Sequence, residues 1–236
     1  MIEKIESRQN QKIKDLVRLS NPKYSKAAKL FKIEGFHALE IAKESGLLKC
    51  VFTIEEIKNL NVPQYLISED ILSSISTSKS PQGVICVCKY LLEKEIKSDK
   101  VLLLDNVTDP GNLGTLLRTA LAFGYNDIIL NGGCSQYNEK VLQSTQGAIF
   151  SLNIVNKIDK KIFQNYKVIA TEIKGSVDLS TVEKFDKHIL VLGNEAHGVS
   201  KELLEIADFR VRINIKNIES LNVAVAGAIA MYELSK

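Results

Sequence analysis

Much that would quickly assign a function is missing from this 236-residue sequence. Its four cysteines, Cys50, Cys86, Cys88 and Cys134, make no C-x-x-C pair, and His37, His188 and His197 are scattered. No zinc spacing exists, and no metal site is expected. Cys86 and Cys88 alternate within residues 83–88 and read as small core hydrophobes of a buried strand, in a reducing compartment. No apolar run approaches the ~20 residues that span a bilayer. The longest candidate, residues 223–234, is too short and follows a polar asparagine. The opening Met-Ile-Glu-Lys-Ile-Glu-Ser-Arg is charged where a secretion signal needs an apolar core. A cytoplasmic protein with no membrane partner is therefore expected. Neither G-x-G-x-x-G nor G-x-x-x-x-G-K-[ST] occurs, which argues against a Rossmann dehydrogenase, a Rossmann-type methyltransferase and a P-loop enzyme. Internal repeats and low-complexity tracts are absent too.

What is present is ordinary in amount but uneven in placement. Apolar residues make up 45% of the chain and charged residues 25%, as in globular proteins. The formal net charge is only +3. Residues 8–32, however, hold eight basic side chains (Arg8, Lys12, Lys14, Arg18, Lys23, Lys26, Lys29, Lys32) against Asp15 alone. Residues 97–236 balance at 16 basic and 16 acidic. A basic segment of that density attracts phosphate polyanions, RNA or DNA most commonly, so Arg8, Lys12, Lys23, Lys26 and Lys29 are candidate nucleic-acid contacts. A solvated helix face decorated with lysines would give the same pattern.

Two halves separate near the highly charged residues 92–100, predicting domains at 1–96 and 97–236. In the first, residues 13–19 have helical spacing, and apolar runs at 30–33, 50–53, 65–67 and 84–88 read as strands around a helix at 36–45. This is a small α/β domain. In the second, strands are expected at 101–104, 127–130, 148–154, 168–171, 189–192 and 209–213. Helical patterns lie at 113–123, 139–143, 201–206 and 223–234. Continuous apolar strands alternating with helices predict a mostly parallel sheet covered on both faces.

Ligands of open parallel sheets bind beyond the strands' carboxyl ends. Three polar loops fall there: residues 105–114, 193–200 and 214–222. The first feeds a helix that carries Arg118, with Asn112 a candidate cap; a helix start and an arginine both suit phosphate. A surface arginine on an ordinary strand–turn–helix is the bland alternative. Glu195 stands among glycines in the second loop, as a binding group or a turn stabiliser. His197 lacks an evident orienting partner. Ser220, in the third, could simply cap the last helix.

Together these loops resemble the three motifs of the SpoU (TrmH) family of RNA ribose methyltransferases, within the SPOUT superfamily. The residues that carry the likeness are Asp109-Pro-Gly-Asn-Leu-Gly-Thr-Leu-Leu-Arg-Thr-Ala120, Val191-Leu-Gly-Asn-Glu-Ala-His-Gly-Val-Ser200 and Ser220-Leu-Asn-Val-Ala-Val-Ala226. In the first half, residues 10–16, Phe31-Lys-Ile-Glu-Gly35 and Ser80-Pro-Gln-Gly-Val84 resemble the substrate-binding domain that precedes this core in many members. Lys23-Tyr-Ser-Lys26 stands where relatives usually carry arginines.

The resemblance implies a trefoil knot from about residue 191 onward, a homodimer, and S-adenosylmethionine as cofactor, bound at Gly193, Ile213 and Leu221. It implies Arg118 at the reacting ribose hydroxyl, with Asn112, Glu195, Ser220 and Asn222 around it. Relatives commonly have Ile-Pro where this chain has Ile213-Asn214. The expected function is 2′-O-methylation of structured RNA, ribosomal RNA favoured by the two-domain layout. Alternatives are transfer RNA as substrate, a base nitrogen as acceptor, or a non-catalytic RNA-binding or ribosome-assembly factor.

Overall fold

The computed structural model describes residues 1–78 and 80–236. In chain order the elements are β1 Ile2–Ile5, α1 Gln11–Arg18, α2 Pro22–Ala28, β2 Leu30–Glu34, α3 Phe36–Glu44, β3 Leu48–Thr53, β4 Gln64–Ile67, α4 Glu69–Ile75 and β5 Val84–Lys89. They continue with β6 Lys100–Asp105, α5 Pro110–Ala122, β7 Asp127–Asn131, α6 Glu139–Thr145, β8 Asn153–Val155, β9 Lys167–Thr171, β10 Val177–Asp178, β11 His188–Leu192, α7 Lys201–Glu205, β12 Phe209–Arg212 and α8 Val223–Ser235.

By packing, one unit comprises Met1–Leu91 with Tyr137–Phe150, and the other Leu92–Gln136 with Ser151–Lys236. The first contains a five-stranded mixed sheet in the order β1-β4-β3-β5-β2. Residues 137–150 were expected with the second half but pack here. Phe31 explains it: its ring lies 5.1 Å from that of Tyr137 and 5.9 Å from that of Phe150. Tyr137 also stacks on Tyr90 at 3.6 Å, and the buried ammonium of Lys32 pairs with Glu139 at 3.0 Å. A buried lysine needs a carboxylate, and the one it finds is more than a hundred residues away in sequence. The strand expected over 148–154 is a 3₁₀ turn, Ala148–Ser151, followed by the three-residue β8.

The second unit contains a seven-stranded sheet in the order β10-β12-β9-β11-β6-β7-β8. Every pairing in it is parallel. Its centre is β6 and β11, whose Val101–Leu104 and Ile189–Leu192 side chains are all buried. Burying each such side chain stabilises by roughly 1.5–3 kcal/mol, and covering both faces is why these runs do not alternate with polar residues. Gly227 lets α8 sit against α5 and β11; a Cβ there would lie 2.5 Å from Leu116 Cδ2 and 2.6 Å from Leu192 Cδ1. At the strands' opposite, amino end, His188 is buried between the Tyr125 hydroxyl (2.7 Å) and the Phe185 carbonyl (3.0 Å). Desolvation lowers its pKa, partly countered by the Phe185 carbonyl. Among the described residues no helix is long and apolar enough to cross a membrane.

Candidate active site

Because the sheet is parallel, β6, β11 and β12 deliver their following loops to the same edge. Asp105, the last residue of β6, ties two of those connections together. One of its carboxylate oxygens accepts the Ser200 N–H at 2.7 Å, and the other accepts the Asn131 side-chain amide at 2.7 Å. The sequence reading passed over Asp105; a buried carboxylate closing an apolar strand was the available signal.

Loop 193–200 is closed on itself. Asn194 exchanges backbone hydrogen bonds with Gly198 at 3.0 and 2.9 Å. Its side-chain oxygen accepts the N–H groups of Ala196 and His197, and its amide donates to the Asn106 carbonyl at 2.9 Å. His197 Nδ1 lies 3.0 Å from the same Asn194 oxygen. Gly193 is required by close approach: a Cβ there would stand 2.1 Å from Gly198 C and 2.2 Å from Val199 N.

Glu195 leaves this loop to meet the turn before α5. Its carboxylate accepts from the Asp109 N–H (3.1 Å), the Thr108 N–H (3.3 Å), the Thr108 hydroxyl (3.2 Å) and the Asn112 side-chain amide (3.0 Å). Burial alone would raise its pKa. The Asn112 amide and the N–H groups of Glu195, Asp109 and Thr108 reverse this and hold the carboxyl at about 2. It is an anion at neutral pH and a weak base.

That anion sets the direction of a relay. Asn112 must turn its NH₂ toward Glu195, so its oxygen faces away and accepts the Asn222 amide at 2.9 Å. Asn222 in turn points its oxygen at the free N–H groups of Ala224 and Val225, at 2.9 and 3.3 Å. The relay runs from the positive end of α8 to the carboxylate and joins all three loops. It also corrects two expected caps. Asp109, not Asn112, caps α5, accepting the Asn112 N–H at 2.8 Å; Pro110 fits the first helical position ahead of it. Asn222, not Ser220, caps α8.

Arg118 and Ser220 are not drawn into the relay. Arg118 lies six residues beyond Asn112 on the exposed face of α5 and makes no hydrogen bond or ion pair among the described residues. Ser220 is exposed. Ile213 precedes, and Leu221 ends, a stretch, 214–221, whose backbone forms no hydrogen bond with other backbone groups among the described residues. Its free amides and carbonyls beside two half-buried apolar side chains fit a heteroaromatic base such as adenine. The donor set therefore suits a nucleoside-bearing cofactor. Among the described residues no cluster of His, Cys, Asp or Glu could hold a metal.

In the first unit, Lys23 and Lys26 on α2 and Lys29 at its left-handed C-cap are exposed and unpaired among the described residues. Arg8 and Lys12 are engaged, Arg8 with the Asp70 carbonyl at 2.9 Å and Lys12 with Glu3 at 2.7 Å. A cavity of about 110 Å³ lies in this unit, with Lys32, Glu34 and Glu139 in its lining; it includes none of the three loops.

The chain resembles known proteins along nearly its whole length. Residues 99–232 match the SpoU rRNA Methylase family, and residues 10–86 match the MRM3-like substrate binding domain. The chain is 35% identical to the 23S rRNA (guanosine(2553)-2′-O)-methyltransferase RlmP of Bacillus subtilis, over 99% of both chains. It is similar to the AdoMet-bound rRNA methyltransferase from Sinorhizobium meliloti, with a TM-score of 0.88 and 26% identity over 99% of this chain and 97% of that one. A TrmH-family RNA methyltransferase structure from Porphyromonas gingivalis gives a TM-score of 0.84 at 27% identity, over 97% and 98%.

Proposed function

The chain belongs to the SpoU rRNA methylase family, and from that premise we propose that it transfers a methyl group from S-adenosylmethionine to the 2′-hydroxyl of a guanosine ribose in 23S ribosomal RNA. The observation that carries this reading is the Glu195–Asn112–Asn222 relay, which fixes three sequence-distant loops at one sheet edge. Similarity to RlmP along the whole of both chains supports the choice of substrate.

Gly193, Ile213 and Leu221 hold the cofactor, which supplies an electrophilic methyl group when bound. The harder task is the nucleophile, because a ribose hydroxyl is almost un-ionised at neutral pH and must shed its proton as the bond forms. Glu195, held at about 2, is too weak to take that proton; with Asn222 it positions Asn112. Arg118 has the planar fork to hold a phosphate and steady the hydroxyl oxygen while its proton leaves to solvent water, and Ser220 lies beside the entry to α8.

Arg118 has no hydrogen bond or ion pair among the described residues, which fits a site completed by a second copy. Val225, Ile229 and Tyr232, 49%, 39% and 52% exposed, recur at helical spacing along one face of α8 and supply the apolar surface of a homodimer. β12 inserts between β9 and β10, both earlier in the chain, and Asn222 then reaches back to α5; this return path supports a trefoil knot in residues 191–236. Residues 1–96 present the RNA through Lys23, Lys26 and Lys29, with Arg8 and Lys12 shaping that surface, and residues 97–236 carry the chemistry. A ribosomal RNA substrate supports a cytoplasmic location for the enzyme. Mapping 2′-O-methyl sites in RNA from cells with and without the gene tests the proposal: loss of one guanosine mark in 23S RNA is expected, and loss confined to transfer RNA would contradict it.

A further inference from the structure

Among the described residues, 214–221 have no backbone–backbone hydrogen bond to hold them, yet the proposed function asks them to stand at a fixed distance from loop 193–200. Their side chains offer little more. Among the described residues a single side-chain hydrogen bond leaves the stretch, from the Asn214 amide to the Asp178 carboxylate. The loop is thus fastened at two points: by Asn222 to Asn112 at its far end and by Asn214 to Asp178 at its near end.

Asp178 is built for such a task. It ends β10, a two-residue strand on the sheet's edge paired in parallel with β12, so that Asp178 stands opposite Arg212. One carboxylate oxygen accepts both the N–H (2.9 Å) and the hydroxyl (2.7 Å) of Ser180. The Asp178 carbonyl accepts the Thr181 hydroxyl at 2.7 Å. With one oxygen held by Ser180, the other is aimed at Asn214. Arg212 reinforces the same seam by donating to the Ser176 carbonyl. The 3₁₀ turn that follows, Leu179–Thr181, also packs on α8. A turn fixed on both sides therefore presents one carboxylate oxygen to the first residue of an otherwise loose loop.

We propose that Asp178 is a positioning residue for the cofactor: through Asn214 it holds the 214–221 stretch in its binding-competent place. This does with one charge-assisted bond what a proline at position 214 would do by restricting the backbone. Asp178 touches neither cofactor nor RNA in this account; it acts through Asn214. The inference rests on the cofactor reading above.

The test is a double-mutant cycle on the full-length protein, with Asp178→Ala, Asn214→Ala and both together, measuring S-adenosylhomocysteine affinity by calorimetry. Each single change should weaken binding ~10-fold, about the value of one hydrogen bond to a charged group. The double variant should be no worse than either single one. Single-turnover rates at saturating cofactor should recover most of the loss, placing the defect in binding. Wild-type affinity in Asp178→Ala, or effects that simply add, would overturn the tether. A wild-type protein that binds no cofactor would instead overturn the cofactor reading. The tether can still be read without ligand. Backbone ¹⁵N order parameters across 214–221 should fall below ~0.6 in Asp178→Ala, and values unchanged from wild type would overturn it.

Discussion

Two loops at one edge of one sheet are built in opposite ways. Loop 193–200 spends its polar groups on itself and its neighbours: Asn194 alone engages Asn106, Ala196, His197 and Gly198. Residues 214–221 make no backbone–backbone hydrogen bond among the described residues, and their fastenings there lie at their margins. The closed loop is a fixed wall, and its one outward anion, Glu195, orders the relay. The open loop keeps its hydrogen-bonding capacity for a ligand. A site for a flexible cofactor gains from both: a rigid reference surface, and a second surface whose unpaired groups are satisfied only on binding.

The largest effect is expected from Arg118, which belongs to neither loop and whose loss should leave both intact. Arg118→Lys keeps the charge but loses the fork, and single-turnover methylation at saturating RNA should drop ~100-fold or more, the scale of a lost donor at a reacting oxygen. Cofactor affinity should be unchanged. A near-normal rate would remove Arg118 from the chemistry.

A smaller effect breaks the wall itself. Gly193→Ala forces a Cβ to within 2.1 Å of the Gly198 backbone. Overpacking of this kind costs about 1–3 kcal/mol, read as a lower melting temperature together with weakened cofactor binding. By contrast Ile218→Ala, on the exposed open loop, should leave the melting temperature in place. Equal destabilisation by the two would erase the distinction between closed and open loops.

The loops should also differ in acid. Glu195 has its pKa depressed from 4.5 to about 2, so the order it lends is complete above pH 4.5 and is lost as pH falls toward 2. Protection of the Asn194–Gly198 amides from exchange, taken relative to the intrinsic rate at each pH, should fall over that window in wild type, and much less in Glu195→Gln. The open loop answers to a different group, Asp178, whose carboxyl the Ser180 hydroxyl and N–H hold below its ordinary 3.8. His188 acts higher up the scale. Its lowered pKa means stability is present above 6.5 and declines as pH drops below it, and replacing it with glutamine should flatten that limb of the melting-temperature profile.

The smallest effect concerns RNA capture. Replacing Lys23, Lys26 and Lys29 with alanine should reduce the salt slope of RNA binding by ~2, at ~0.7 for each phosphate no longer neutralised, with cofactor affinity unmoved. An unchanged slope would return these lysines to a solvated face.

The sheet was legible because β6, β9 and β11 are unbroken apolar runs, and a run buried on both faces has no other reading. The three loops were legible from motif order and from their place after strands. What stayed hidden depended on partners far along the chain. Nothing local says that Asn222, rather than Ser220, caps α8, since both are good caps; the choice is made by Asn112, 110 residues away. Nothing local assigns residues 137–150 to the first unit, because the deciding side chains are Phe31 and Lys32. Asp105 and Asp178 look like any strand-ending aspartate until Ser200 and Asn214 arrive. Arg118 was recognisable by motif, but its lack of a hydrogen bond or ion pair among the described residues is a structural fact.

The most direct test incubates the purified protein with methyl-labelled S-adenosylmethionine and unmodified 23S RNA, then digests the RNA to nucleosides. The account predicts label in 2′-O-methylguanosine, dependent on Arg118 and insensitive to chelator. Label in a base-methylated nucleoside, or none despite bound cofactor, would contradict it.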